Sequence, residues 1–277
     1  MMSKKMNKKL VTIIVFVTIM IGFLYQQNNA IDISRLEISS EDIPDAFNGY
    51  KILQISDLHS KEFGENQKRL VKKILDEDPD VILVTGDAID SKNYDEDVCI
   101  QLFSQVIDLV PIYFVTGNHE AWSNTFDEFE KRLIDVGVIV LRNESKLINI
   151  EDSSILIVGV DDPDIQQGSN MKTLLDDMDA LFAENYTLLL SHRPELIDIY
   201  SESDIDLVFS GHAHGGQVRL PMIGGLIAPD QGWFPKFTSG IYHKNNTTMI
   251  VSRGLGNSII PQRIFNKPEL ILVTLTK

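Results

Sequence analysis

Gly211-His212-Ala213-His214-Gly215 places two imidazoles two residues apart, boxed by glycines, directly after the apolar run Leu207-Val208-Phe209. Imidazole is the commonest biological ligand for transition metals, so a strand ending in this loop reads as half of a metal site. Four further motifs sit at the ends of apolar runs: Asp57-Leu58-His59, Gly86-Asp87-Ala88-Ile89-Asp90, Gly117-Asn118-His119-Glu120 and Ser191-His192-Arg193-Pro194. Residues two apart on an extended segment point the same way, so Asp57 and His59 can share one ion. Gly86 permits a sharp turn, and each oxygen of Asp87 can take a metal. Asn118 offers a neutral oxygen, while the adjacent His119 points elsewhere and is free for acid–base work. Taken singly, most of these motifs read as helix caps, turns or strand-end histidines. Together they use five of the chain's six histidines, which five separate bland readings do not explain. The pooled donors are Asp57, His59, Asp87, Asn118, His192, His212 and His214. Seven N/O donors without a thiolate exceed one tetrahedral site and suit two ions of the Mn, Fe or Zn type, about 3.5–4 Å apart. His243 and Cys99 have no partner motif and read as structural.

The order Asp-x-His, Gly-Asp-x-x-Asp, Gly-Asn-His-Glu, His, Gly-His-x-His resembles the calcineurin-like metallophosphoesterase superfamily, from about residue 50 to 277. Gly-His-Ala-His-Gly-Gly-Gln-Val, Ser252-Arg253-Gly254-Leu255-Gly256 and Pro268-Glu269-Leu270 are similar to its YkuE/YaeI-like, membrane- or envelope-associated branch. The resemblance implies a four-layer α/β/β/α sandwich of two mixed sheets. It implies a first metal on Asp57, His59, Asp87 and His214, and a second on Asp87, Asn118, His192 and His212. His119 would then be the general acid or a transition-state stabiliser, oriented by Asp90. The implied activity is a metal-dependent phosphodiesterase or phosphatase, in which a metal-bridging hydroxide attacks phosphorus in line. Arg193 and Arg253 are the candidates to hold phosphate oxygens. The alternatives are a protein phosphatase, or a non-catalytic envelope-binding protein that uses metal only to fold.

These loops need strands to carry them. Apolar, β-branched runs predict strands at 51–56, 81–85 and 112–115, alternating with helices at 66–76, 95–109 and 126–136. The second half predicts strands at 138–141, 147–150, 155–160, 187–191, 207–210, 248–251 and 270–275. It also predicts a helix over 171–183 and another starting at Pro194. An α/β half followed by a β-rich half, with no linker between them, predicts two sheets packed in one domain under helices. The Gly/Pro-rich apolar stretch 220–229, followed by Trp233-Phe234-Pro235, reads as a membrane-facing or acyl-gripping loop, or as an ordinary packed loop.

The N-terminus is different. Lys4, Lys5, Lys8 and Lys9 precede an uncharged apolar run from Leu10 to Tyr25. This reads as a basic cytoplasmic segment (1–9), an uncleaved signal-anchor (10–27), a polar linker (28–48) and a catalytic domain (49–277). A cleaved signal is the alternative, with Ala30 ending a poor cleavage site. Lysines before the span keep that end cytoplasmic and place the domain on the extracytoplasmic side of the cell membrane. Net charge is −15, and −19 with the four lysines of residues 1–9 set aside. Such a surface repels nucleic acid and argues against a nuclease. The apolar stretch 220–229, together with the anchor, favours a phosphoester or pyrophosphate on a lipid or envelope polymer.

Overall fold

A computed structural model describes residues 8–165, 170–258 and 260–277. Lys4 and Lys5 of the basic segment lie outside the described residues. In chain order, the first elements are helix α1 (Lys8–Asn29), strands β1 (Asp32–Ser39) and β2 (Lys51–Ile55), α2 (Lys68–Glu77) and β3 (Val81–Thr85). They are followed by α3 (Asp97–Ser104), β4 (Ile112–Val115), α4 (Asn118–Trp122), α5 (Phe126–Asp135), β5 (Ile139–Val140), β6 (Glu144–Ile150) and β7 (Ser153–Gly159). Next come α6 (Met171–Phe182), β8 (Thr187–Leu190), α7 (Ile197–Tyr200) and β9 (Leu207–Ser210). Two small hairpins, β10 (Arg219–Leu220) with β11 (Gly224–Gly225) and β12 (Ile227–Ala228) with β13 (Gly232–Trp233), precede β14 (Gly240–Lys244), β15 (Thr247–Val251) and β16 (Glu269–Thr276).

The two large sheets are mixed and six-stranded, ordered β1-β16-β2-β3-β4-β5 and β14-β15-β9-β8-β7-β6. Strand periodicity sorts their side chains into layers. Ile52, Leu83, Val115, Ile157, Leu188 and Phe209 meet in a core between the sheets. Their sequence neighbours Leu53, Val84 and Phe114 turn outward against Leu70, Phe103 and Phe129 of α2, α3 and α5. On the far side Val158, Leu189 and Val208 pack on Leu175 and Tyr200 of α6 and α7. Both faces of each central strand are therefore apolar, as the β-branched runs anticipate. The helix expected from Pro194 is a 3-10 turn followed by the single turn of α7.

The expected linker is part of the fold. Within 28–48, β1 runs parallel to β16 from Asp32↔Glu269 to Ser39↔Thr276. Ile43 and Phe47 are fully buried in the inter-sheet core. The segment reads as polar because β1 is an edge strand: Glu37 and Ser39 face solvent while Ile38 is buried. A chain cut to begin at Gly49 is expected to lose its cooperative denaturant transition, whereas one beginning at Ala30 keeps it. Equal transitions in the two chains would remove β1 from the stable core.

Candidate metal centre

Strands β2, β3 and β4 are mutually parallel, as are β7, β8 and β9. Each set therefore presents its carboxyl ends at one edge, the usual ligand-binding edge of such sheets. The two edges are stitched together. Gln54 Nε2 donates to Thr85 Oγ1 and to the Ser210 carbonyl, each at 2.9 Å. His192 Nδ1 lies 2.7 Å from the Thr85 carbonyl. Donating to that carbonyl leaves Nε2 as the lone-pair nitrogen, the state a metal requires.

The loops beyond these ends bring all seven candidate donors together, each no more than 6% exposed. Asp57, His59, Asp87 and His214 each place a ligand-type atom within 4.8 Å of the others, and so do Asp87, His192 and His212. Asp87 Oδ2 is 3.6 Å from His59 Nε2 and 3.2 Å from His192 Nε2. On one side His214 Nε2 lies 3.0 Å from His59 Nε2 and 3.2 Å from Asp57 Oδ1. On the other, His212 Nδ1 lies 3.1 Å from His192 Nε2. Asn118 Oδ1 is buried without a hydrogen-bond partner among the described residues, a state that costs roughly 1–3 kcal/mol unless a cation meets it. The donor set thus fits divalent metal.

The backbone is strained into this arrangement. Asp57, His59, Asp87, His212 and His214 all have φ between 46° and 64°, at about 1–2 kcal/mol each for a non-glycine residue. Gly86 (φ +85°) leaves no room for a side chain, since a Cβ there would lie 2.6 Å from Gly117 N and 2.9 Å from His192 Nδ1. A Cβ at Gly211 would lie 2.5 Å from Asp57 Oδ2.

Burial works against a charge on His192, but Asp87, Asp57 and Asp162 outweigh it and push its pKa up to about 10. His59 is likewise raised, burial being overcome by Asp90, Asp87 and Asp57. His214 is lowered by burial and by His59 and Arg263. His119 is also lowered, chiefly by burial. Its Nδ1 accepts the Ser91 N–H at 3.1 Å, so the neutral ring carries its proton on Nε2. The His119 ring meets His59 edge-on at 4.4 Å and Trp122 at 5.2 Å between centroids.

Three sequence expectations change here. Asp90 does not orient His119: its Oδ2 is 4.0 Å from His119 Nδ1 and 3.6 Å from His59 Nδ1. Its Oδ1 is taken by the Lys92 and Asn93 N–H groups in a local turn, and Ser91 holds His119 instead. Arg193 is not free for phosphate. Asp162 grips it at 2.6 and 2.8 Å, and Asp164 and Asp230 also pair with it. Arg253 pairs with Glu269 at 2.8 Å. In so acidic a chain, carboxylates remote in sequence capture both guanidiniums.

Two residues escaped sequence reasoning. Glu120 accepts the N–H groups of Asp87 (2.8 Å), Ala88 (2.9 Å) and Gly117 (2.7 Å), pinning two ligand loops together. Burial pushes its carboxyl up to about 7 against the pull of these donors. Its position three residues after the N-cap Gly117 lets it accept that residue's N–H, the acidic half of a capping box and a readable signal. Asp230, at the β12–β13 turn, sits 2.9 Å from His212 Nε2, and no sequence signal marks it. The centre opens into a cleft of about 550 Å³ whose walls include His119, Trp122, Lys92, Pro229, Ser258 and Pro261.

Comparisons with known proteins identify the family. Residues 50–216 match the calcineurin-like phosphoesterase family model. The chain is 31% identical over 256 residues to the metallophosphoesterase YkuE of Bacillus subtilis, covering 91% of this chain and 87% of that one. It is 26% identical to the phosphodiesterase YaeI of Escherichia coli, covering 82% of each. It is 28% identical to a transmembrane protein with a metallophosphoesterase domain from Danio rerio, covering 87% of this chain and 56% of that one. Among solved structures, TT1561 of Thermus thermophilus superposes with a TM-score of 0.51 at 13% identity, over 75% of this chain and 91% of that one, a likeness of fold. The chain is a member of the calcineurin-like phosphoesterase family.

Proposed function

We propose that the chain is a membrane-anchored phosphohydrolase whose centre holds two divalent ions, of the Mn, Fe or Zn type, with Asp87 shared between them. Asp57, His59, Asp87 and His214 would hold one ion; Asp87, Asn118, His192 and His212 would hold the other. The observation that carries this reading is Asp87 Oδ2, flanked at 3.6 and 3.2 Å by imidazole nitrogens from two separate clusters. When bound, such ions supply Lewis-acid charge for phosphoryl oxygens and lower the pKa of water toward about 7.

The chain's own residues supply the rest. His119, neutral and protonated on Nε2, donates a hydrogen bond that stabilises the charge developing on the departing oxygen. Ser91 fixes the tautomer, and Trp122 and His59 fix the ring plane. Glu120 keeps the Asp87 and Asn118 loops in register. Asp230 accepts from His212 Nε2 and so directs its Nδ1 toward the metal, the usual carboxylate–histidine–metal relay. The site's pairing of His119 with an acidic surface favours hydrolysis of a small phosphoester over a nuclease or a purely structural metal site.

The substrate we infer is a phosphoester or pyrophosphate carried by a lipid or envelope polymer. Helix α1 is long and apolar enough to cross a membrane. Its 22 residues span about 33 Å, against a hydrocarbon core of about 30 Å. Thr12 and Thr18 bond back to the carbonyls of Lys8 and Ile14, so the helix itself satisfies both hydroxyls. The lysines before it support an extracytoplasmic position for the domain.

The full chain with manganese is expected to hydrolyse bis-p-nitrophenyl phosphate. His119→Ala should cut turnover by about 10²–10³-fold with unchanged metal content on elemental analysis. No turnover with any divalent metal would leave the non-catalytic reading standing. Asp230→Asn should weaken manganese binding by about 10–100-fold, read by titration calorimetry. Below about 10, His192 carries a proton that a metal must displace. Manganese affinity should therefore rise by about tenfold per pH unit across neutral pH, and His192→Asn should flatten that slope.

A further inference from the structure

Helix α1 does not hang from the domain on a tether. It ends at Asn29, and β1 begins at Asp32. Asn28 Oδ1 accepts the Arg263 N–H at 2.8 Å, its Nδ2 donates to the Pro261 carbonyl at 2.9 Å, and Lys61 Nζ bonds its carbonyl at 2.7 Å. Arg69 bonds the Asn29 carbonyl at 2.8 Å. A domain so fastened cannot drift from the membrane its helix enters. One of its faces must rest there.

The contacts identify that face. Phe23, inside the apolar run, packs on Phe265 with ring centroids 5.5 Å apart. Phe23 lies six residues before the end of α1, or about 9 Å along its axis, so Phe265 sits at the depth of the apolar span. From there a chain of backbone bonds leads outward. Arg219 N–H donates to the Ile264 carbonyl at 3.0 Å, Leu226 N–H to Val218 at 2.9 Å, and Phe234 N–H to Leu226 at 2.9 Å. These bonds carry the two hairpins, whose ends bear Met222 (106% exposed), Ile223 (60%), Trp233 (72%) and Phe234 (68%), beside Phe265 at 54%. Large apolar side chains so exposed, adjoining an apolar helix, need a non-aqueous neighbour. Lys236 follows them and lies over the Phe237 ring, 4.8 Å from its centroid, a cation placed as at membrane interfaces.

The same segment walls the metal cleft. Pro261, bonded to Asn28, and Pro229, on the β12–β13 turn, both line it. We propose that the two hairpins and Phe265 form a rim that dips into the outer face of the bilayer, so that the cleft opens at the level of lipid headgroups. The phosphoryl group of a lipid-borne ester then reaches His119 while its chains stay in the leaflet. This surface rests on the anchored phosphohydrolase reading and adds to it the occupant of the apolar patch and the direction of substrate entry.

The chain has two tryptophans, so Trp122→Phe leaves Trp233 as the sole indole. With the full chain reconstituted in phosphatidylcholine vesicles, brominated acyl chains should quench Trp233 emission by about half, and aqueous iodide should leave it unquenched. A Met222→Ser, Ile223→Ser, Phe234→Ser triple variant should keep parental turnover of bis-p-nitrophenyl phosphate. It should lose about tenfold on hexadecyl p-nitrophenyl phosphate held in the vesicles. Trp233 quenched by iodide, in a chain that resists carbonate extraction, overturns the rim and leaves the anchor intact. Shielding from both quenchers overturns it in favour of a protein neighbour. Release by carbonate overturns the anchor and the rim together. Absent turnover of both esters strikes the hydrolase reading alone, because the quenching still reports the rim.

Discussion

Asp87 is 2% exposed, and a carboxylate buried that deeply loses several kcal/mol of hydration unless charge or hydrogen bonds replace it. The fold supplies both. His192 and His59 flank one oxygen, and the His119 N–H donates to the other at 2.8 Å. Its pKa stays well below the ordinary value because the histidines, His192 foremost, outweigh the burial that would raise it. Three loops from three strands must therefore converge on one side chain. That demand accounts for the left-handed backbone at five donor positions and for the absence of a Cβ at Gly86 and Gly211. Strain of this kind persists only where surrounding structure over-determines it, and the stitched edges of the two sheets provide that.

What the sequence made legible follows from how far apart the cause and its effect lie in the chain. Ligands announce themselves within a motif, since Asp57 and His59, or His212 and His214, are neighbours on one loop. Central strands announce themselves because burial on both faces makes every residue apolar. Arg193 and Asp162, by contrast, are 31 residues apart, and nothing in either local pattern reveals the pair. The edge strand β1 carries charge on its open side and so resembles a tether. The strands of the two hairpins are two residues long, too short for any period. Their consequence, Asp230 beside His212, is visible only in three dimensions.

Asp90 and Ser91 show the same limit at close range. A carboxylate three residues after a ligand Asp is a natural orienter for a nearby imidazole. Yet an Asp whose oxygen accepts two following N–H groups is already committed to its own turn. The turn that absorbs Asp90 Oδ1 points the Ser91 N–H at His119. A backbone donor fixes the tautomer without adding a charge, so His119 stays neutral beside a cluster already rich in carboxylates. A charged orienter would have added negative charge beside the oxygen that the His119 N–H stabilises.

The join between α1 and the metal centre passes through Asn266, which is fully buried. Its backbone N–H donates to Gln27 Oε1 at 3.2 Å, and its Nδ2 donates to the carbonyls of His214 at 2.8 Å and Gln217 at 2.9 Å. One residue thus ties the last turn of the apolar helix, through its backbone, to the loop that presents His214, through its side chain. Lys61 and Arg263 reinforce the join, bonded there to carbonyls and an amide rather than to carboxylates. Burial, with Arg263 nearby, lowers Lys61 to about 7, and burial lowers Arg263 to about 10. Among the described residues no carboxylate bonds either cation at the join, whereas Asp162, Asp164, Glu195 and Asp230 surround Arg193. Carbonyl acceptors fix the angle of α1 through many weak, directional bonds. The helix is therefore built into the geometry of the His214 loop, and the domain begins inside what its composition alone presents as a membrane anchor.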